Sequence, residues 1–307
     1  MIGRLSTFAA WLAFFASAPL AAEPLNLIEV AAGVYVHQGV QALPDRHNHG
    51  EIANIGFIVG ERCVAVVDSG GSPAQGRALK AAISAKTQVP VCYVVNTHVH
   101  PDHIYGNSAF KGPGVVFVGH RKLAQAMALR ASYYLAKAGS ELDNGVQAAD
   151  FIAPDRPVDS ALELDLGGRK LNLVAHSTAH TDNDLTVFDD KTRTLWLADL
   201  LFIGHVPVVD GSLLGWLKEL EALKKIDAKL AIPGHGPVSA QWPQAAEAET
   251  RYLEMLRNEI RAYIKQGKTM EQAQANLGQS ARGDWALFDE FHKRNIATSY
   301  AQLEWED

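Results

Sequence analysis

Val91-Cys92-Tyr93-Val94-Val95-Asn96 runs directly into Thr97-His98-Val99-His100-Pro101-Asp102-His103, and the fold turns on how this stretch is read. The first half is an apolar, β-branched run, which reads as a buried strand. The second half sets three histidines and an aspartate side by side. Imidazole nitrogens and carboxylate oxygens are the donors zinc takes, at about 2.0–2.2 Å. His98 and His100 stand two apart and converge on one ion. Asp102 and His103 continue round the turn and face a second. Pro101 and the following Gly106 keep the chain bent. A merely solvated polar loop would leave unexplained why four strong ligands stand at the end of a buried strand.

Upstream, Cys63 to Val67 is another apolar strand. Ser72 and Pro73 are the cap and first residue of a helix reaching about Lys86. Strand, helix and strand make a βαβ unit with parallel strands. The histidine loop therefore leaves the carboxyl end of a sheet, where open α/β sheets bind ligands. Before it, Leu25 to Val30 and Val34 to Gln38 read as short strands, 39–51 as a polar loop, and Ile52 to Val59 as a strand closed by a turn at Gly60-Glu61-Arg62. Beyond it, Arg121 to Ala138 is helical. Strands follow at Leu162 to Leu166, Leu171 to Ala175, Leu185 to Phe188 and Thr194 to Leu197, with hairpin turns at Gly167-Gly168 and Asp189-Asp190. An amphipathic helix spans Ser212 to Lys225 and a short strand Leu230 to Ile232. Helices at Pro243 to Lys265, Met270 to Asn276 and Asp284 to Ala301 close the chain. The pattern is α+β: an αββα sandwich forming one domain over 23–307, with 240–307 as its helical C-terminal part.

At 48% hydrophobic and 20% charged, the chain has the composition of a globular core rather than of a disordered segment. A net charge of −6 gives no basic footprint for nucleic acid. Residues 1–22 read as a signal peptide: Arg4, an apolar run from Phe8 to Leu20, and small residues Ala21 and Ala22 before Glu23. The expected location is periplasmic or secreted, with no stable membrane span after cleavage. Export permits a disulfide between Cys63 and Cys92. Both lie in apolar strand-like runs, however, and adjacent parallel strands rarely offer bridging geometry, so they are expected to be separate small buried hydrophobes.

The loop at His98 to His103 resembles the HxHxDH signature of the metallo-β-lactamase superfamily, and further motifs follow in that family's order. His180-Thr181 stands where the third ligand of the first metal is expected. Asp199, in Leu197-Ala198-Asp199-Leu200, stands at the bridging carboxylate, and His235, in Pro233-Gly234-His235-Gly236, at the last histidine. Asp68, in Val67-Asp68-Ser69-Gly70, matches the family's supporting aspartate at a strand end. The resemblance implies a first zinc on His98, His100 and His180, and a second on Asp102, His103 and His235 with Asp199 bridging. It implies a metal-bridging hydroxide that attacks an ester, lactone, thioester or similar acyl bond of a small molecule, with Asp102 orienting it and moving its proton. His/Asp sites also accept iron or manganese.

Departures narrow the choice within the superfamily. Flavodiiron-type oxidoreductases carry Glu where this chain has His100. Plasmid-type β-lactamases carry Cys where it has Asp199, which looks more like glyoxalase II and the lactonases. No basic residue stands out in the sequence to grip a β-lactam carboxylate. His47 to Asn54, Gly106-Asn107 and Pro207 to Trp216 look like the quinoprotein relay system zinc metallohydrolases, exported proteins related to a component of sulfur-oxidation gene clusters. That likeness implies periplasmic quinoprotein dehydrogenase partners.

Outside the motifs, His205, His47 and His49 are candidates for substrate contact, each set against the plainer reading of a packed or solvated histidine. His176 competes with His180 but lacks the Thr-Asp that follows it, so a hydrogen-bonded buried role is expected. One of Tyr133 and Tyr134 is expected to wall the pocket and the other to pack in the core. Two other classes stay open: a mononuclear iron enzyme resembling the persulfide dioxygenases, and a non-catalytic periplasmic metal-binding partner.

Overall fold

The computed structural model describes residues 25–306. The expected leader, residues 1–22, lies outside them. Seven strands, β1 (Ile28–Ala31), β2 (Val34–His37), β3 (Ile55–Val59), β4 (Val64–Val67), β5 (Val91–Asn96), β6 (Val116–His120) and β7 (Arg156–Val158), form one sheet in sequence order. Six more form the second: β8 (Ala161–Asp165), β9 (Lys170–Ala175), β10 (Leu185–Asp189), β11 (Thr194–Phe202), β12 (Leu230–His235) and β13 (Ala240–Gln241). Both sheets are mixed. The parallel pairs are β4/β5, β5/β6 and β6/β7 in the first, and β11/β12 in the second. The αββα expectation holds.

Side-chain alternation explains the layering. Along β4, Ala65 and Val67 point between the sheets, where they meet Leu171, Val187 and Trp196. Val64 and Val66 point outward, onto Leu79 and Ile83 of helix α1 (Pro73–Lys86). Along β11, Trp196 and Ala198 face inward. Leu195 and Leu197 face the outer layer with helices α4 (Leu213–Leu223), α5 (Glu247–Lys265) and α7 (Phe288–Leu303). Strands covered on both faces are apolar almost throughout, which is why β4 and the Leu195–Ala198 stretch of β11 read as unbroken hydrophobic runs. The C-terminal helices share the second sheet's outer core.

Three further α-helices are α2 (Pro101–Ile104) in the histidine loop, α3 (Leu123–Lys137) beside it, and α6 (Met270–Asn276) near the C-terminus. Ser72 caps α1 by accepting the amide N–H of Gln75. α5 starts at Glu247, because 244–246 form a 3₁₀ turn rather than the first helical turn. Among the described residues no helix is long and apolar enough to cross a membrane.

Cys63 and Cys92 are joined in a disulfide, with Cα atoms 5.5 Å apart, and this corrects the sequence reading. The register of β4 against β5 slips between Val64 and Ala65: Val64 pairs with Val91 and Ala65 with Tyr93. Cys92 is the extra residue at that bulge. It sits next to Cys63, just before β4 begins, in a geometry regular parallel strands do not supply.

Arg169 ties the two sheets together. Its guanidinium donates to both oxygens of Asp189, at 2.9 and 2.6 Å, and to the carbonyls of Ala32 and Val59. Both charged side chains are almost wholly buried, at 2% and 0% exposure.

Candidate metal centre

Five chain segments deliver the site, all at the carboxyl ends or irregularities of strands. Asp68 follows β4 and the histidine loop follows β5. His180 lies on the β9–β10 connection, and His235 ends β12. Asp199 lies inside β11 rather than at a strand end, and a local irregularity aims it into the site. The β11/β12 register shifts on either side of Ala198, which takes a left-handed φ of 47°. The facing glycine is required: a Cβ on Gly234 would overlap Asp199 Oδ1.

The expected ligands fall into two adjoining groups. Donor atoms of His98, His100, His180 and Asp199 lie within 4.8 Å of one another, as do those of Asp102, His103 and His235. Asp199 stands between the groups. Its Oδ1 is 3.1 Å from His103 Nε2, and its Oδ2 is 3.3 Å from His180 Nε2 and 3.5 Å from His235 Nε2. His100 turns Nδ1 inward, 2.9 Å from His180 Nε2.

Every one of the five histidines has its outward nitrogen engaged. His98 Nδ1–H donates to Thr97 Oγ1, which in turn donates to Asp68. His103 Nδ1–H donates to Asp68 Oδ2 at 2.8 Å. His180 and His235 donate to the carbonyls of Val208 and Ile52. His100 Nε2–H donates to Asp210 Oδ2 at 3.1 Å. These bonds fix tautomers and leave inward lone pairs, the arrangement of metal-ligating histidines. The inward His98 Nε2, His103 Nε2 and Asp199 Oδ1 are buried without a hydrogen-bond partner. Orphaned polar atoms of this kind are costly, and a coordinated cation satisfies all three. The cluster is therefore able to bind metal ions.

The electrostatics favour positive charge at the centre. Burial opposes ionisation of Asp199 and Asp102, yet the surrounding histidines hold both carboxyls below their usual range. Burial likewise opposes charge on His235, but Asp199 and Asp102 raise it to about 9. Burial dominates at His180, pushed down to about 4. Asp68 is pushed up by burial against the pull of His103 and Thr97.

A cavity of about 380 Å³ opens on the ligands. His205 lines it, buried, with its ring 5.2 Å from that of His235. Burial lowers its pKa to about 4, so it is neutral. His47 and His49 stay exposed on the 39–51 loop, whose Pro44 and Gly50 reach the cavity instead. The loop folds on itself, with Asp45 and Asn48 binding its own amides, and this turns both histidines to solvent. His176 is spent on Glu219 and Thr186 through its two nitrogens. Tyr133 sits 62% exposed at the mouth, while Tyr134 is buried and lines the cavity from the core.

Three features escaped the sequence reading. Asp210 holds His100. Asn54, wholly buried, shapes the turn carrying His235 by donating to the carbonyls of Pro233 and Pro237. Basic side chains do line the cavity: Arg130 and Lys137 from α3, and Arg294 from α7. A helix periodicity does not mark which of its charges faces a pocket; Asn54 and Asp210 lie in the family-like stretches His47 to Asn54 and Pro207 to Trp216, but nothing local there marks their partners.

Residues 50–235 match the model of the metallo-beta-lactamase superfamily. The linear primary-alkylsulfatase of a Pseudomonas species is 25% identical over 236 residues, which cover 65% of this chain and 43% of that protein. The beta-lactamase-like protein 2 homolog of Caenorhabditis elegans is 25% identical over 195 residues, covering 64% of this chain and 58% of the relative. The chain thus spans about half the length of the curated relatives it matches. A metallo-beta-lactamase from Pontibacter korlensis superposes with a TM-score of 0.60 at 19% identity, covering 75% of this chain and 99% of that one. A double mutant of a sec-alkyl sulfatase superposes with a TM-score of 0.66 at 16% identity, covering 83% and 45%. At these identities the two structures share the fold.

Proposed function

The chain belongs to the metallo-beta-lactamase superfamily, and on that footing we propose that it is an exported, binuclear zinc-dependent hydrolase of ester, lactone, thioester or similar acyl bonds. The observation that carries this reading is the pair of adjoining ligand sets sharing Asp199, with every outward histidine nitrogen already bonded. A second set completed by Asp102, His103 and His235 favours two ions over the single iron of a sulfur-oxidising enzyme. Two zinc ions held by these residues would supply Lewis acidity and a nucleophilic water at neutral pH.

The chain's own groups supply the rest. Asp102 is the ligand-set carboxylate at the cavity edge, 13% exposed, with Oδ2 3.4 Å from His235 Nε2. It orients the attacking water and takes its proton. Asp68 and Asp210 keep His103 and His100 in the required tautomers. Phe202, Tyr134 and Phe291 exclude bulk water from one side of the cavity. The alkylsulfatase among the relatives adds sulfate esters to the bonds worth screening.

Export is supported by the apolar N-terminal run and by the Cys63–Cys92 disulfide, which suits an oxidising compartment. A periplasmic quinoprotein dehydrogenase context rests on the family-like stretches His47 to Asn54 and Pro207 to Trp216. The test is to purify the protein without added metal and measure metals per chain by mass spectrometry. Close to two zinc ions, with turnover of an ester, lactone or thioester, is the expected result. One iron and little zinc would overturn it.

A further inference from the structure

Asp210 is the meeting point of three donors. It accepts from His100 Nε2–H, from Arg294 Nη2–H at 2.7 Å and from Arg130 Nη2–H at 3.3 Å. The arginines come from α7 and α3, meet at this one carboxylate, and both line the cavity. One carboxylate already engaged by a histidine faces two guanidinium ions, so this wall carries an excess of positive charge.

Each guanidinium has five N–H donors. Among the described residues Arg130 and Arg294 make a single side-chain hydrogen bond each, to Asp210. Their side chains remain 32% and 52% exposed. Orienting Asp210 requires only one of them. Two arginines pinned by one acceptor, with free donors toward a cavity, form a preorganised fork for an oxyanion. Lys137, also on the cavity wall, is offset by Glu141 at 3.5 Å and adds no net charge. Apart from the ligand sets, His205 and Glu141, the remaining lining, including Tyr133, Tyr134 and Leu142, is largely apolar or aromatic.

We propose that Arg130 and Arg294 bind an anionic oxyacid group of the substrate, so that the enzyme acts on an apolar compound carrying a carboxylate or similar group beside its scissile bond. This rests on the hydrolase reading for the word substrate, but the binding assignment is testable without turnover. The anion sits beside the Asp210 carboxylate, which separates the arginines from His100 of the first ligand set.

The probes are two stable anilides of matched shape: glutaric acid mono-4-nitroanilide, which is anionic, and 5-methylhexanoic acid 4-nitroanilide, which is neutral. Their dissociation constants for the metal-loaded full chain are measured by calorimetry. The anionic probe is expected to bind about tenfold tighter or more. In the Arg130→Gln/Arg294→Gln double variant that ratio should collapse towards one. The single variants, each losing part of the preference, serve if the double variant does not fold. No preference in the wild type, including no binding of either probe, overturns the proposal. So does a preference that survives the substitutions, because the anion would then sit on the metals. The corresponding 4-nitrophenyl esters are assayed separately. Preferential anilide binding with no ester turnover refutes the acyl-hydrolase reading while leaving the anion site standing.

Discussion

Gly234→Ala tests whether the site depends on one backbone approach. Gly234 lies outside the left-handed φ region, so an alanine is conformationally allowed there. With open space around it, such a change would stabilise the protein by about 0.4–1 kcal/mol through the unfolded chain. The space is not open. A Cβ would overlap Asp199 Oδ1 and stand 2.8 Å from the carbonyl carbon of Ala198 and the amide nitrogen of Asp199. The carboxylate must therefore retreat by about 1 Å, and a misplacement of that order costs about a hundredfold in rate. The loss should appear first in metal content, since Asp199 stands between the two ligand sets. Metal per chain by mass spectrometry, hydrolysis of a 4-nitrophenyl ester and the thermal midpoint are read together. The expected outcome is reduced metal and about a hundredfold lower activity in a folded protein. Wild-type metal content with activity within about threefold of wild type would refute the reasoning, because it would mean that Asp199 has room the structure denies it.

Asp210→Asn removes the carboxylate that orients His100, and metal affinity should fall about 10- to 100-fold, measured by competition with a chromophoric chelator. Arg169→Met strands the buried Asp189 carboxylate and should cost about 3–5 kcal/mol in chemical denaturation. Burial opposes the charge on Asp189, but Arg169 and Thr192 hold its pKa below the ordinary value. Its stabilising contribution is therefore complete above about pH 4 and fades as pH falls through the lowered value, so the gap between wild type and Arg169→Met should narrow in acid. The paired Cys63→Ser/Cys92→Ser variant reopens a loop with a sequence separation of 29 and should lose about 3–4 kcal/mol by the same assay. His176→Asn should leave metal content unchanged, since both ring nitrogens are engaged elsewhere; loss of one ion would make it a ligand after all.

The ligand residues were legible because they are local and chemically loud. His98 to His103 announce themselves in one loop, and His180, Asp199 and His235 each sit in a short motif at a strand. The βαβ unit was legible because its strands are covered on both faces. What escaped is what depends on three-dimensional approach. Asp210 is a lone aspartate 110 positions from the histidine it holds. The disulfide needs a one-residue slip that no apolar pattern encodes. β7 was missed because Pro157 discourages a strand assignment, yet it lies at the sheet edge, where a missing N–H is harmless. β6, Val116-Phe117-Val118-Gly119-His120, is short and ends in a glycine-histidine pair that reads equally well as a loop. His47 and His49 misled for the opposite reason: their loop binds its own amides and turns them outward.

Each ligand set draws on both sheets: His98, His100, Asp102 and His103 hang from the first, and His180, Asp199 and His235 from the second. An ion held there is also a rivet through the sandwich, closing the chain between residues far apart in sequence. Its binding free energy then adds to the cohesion of the layers, growing with the logarithm of free ion concentration. Ion supply would set how long the folded chain survives proteases as well as how fast it works, and starvation for metal would remove the protein together with its chemistry.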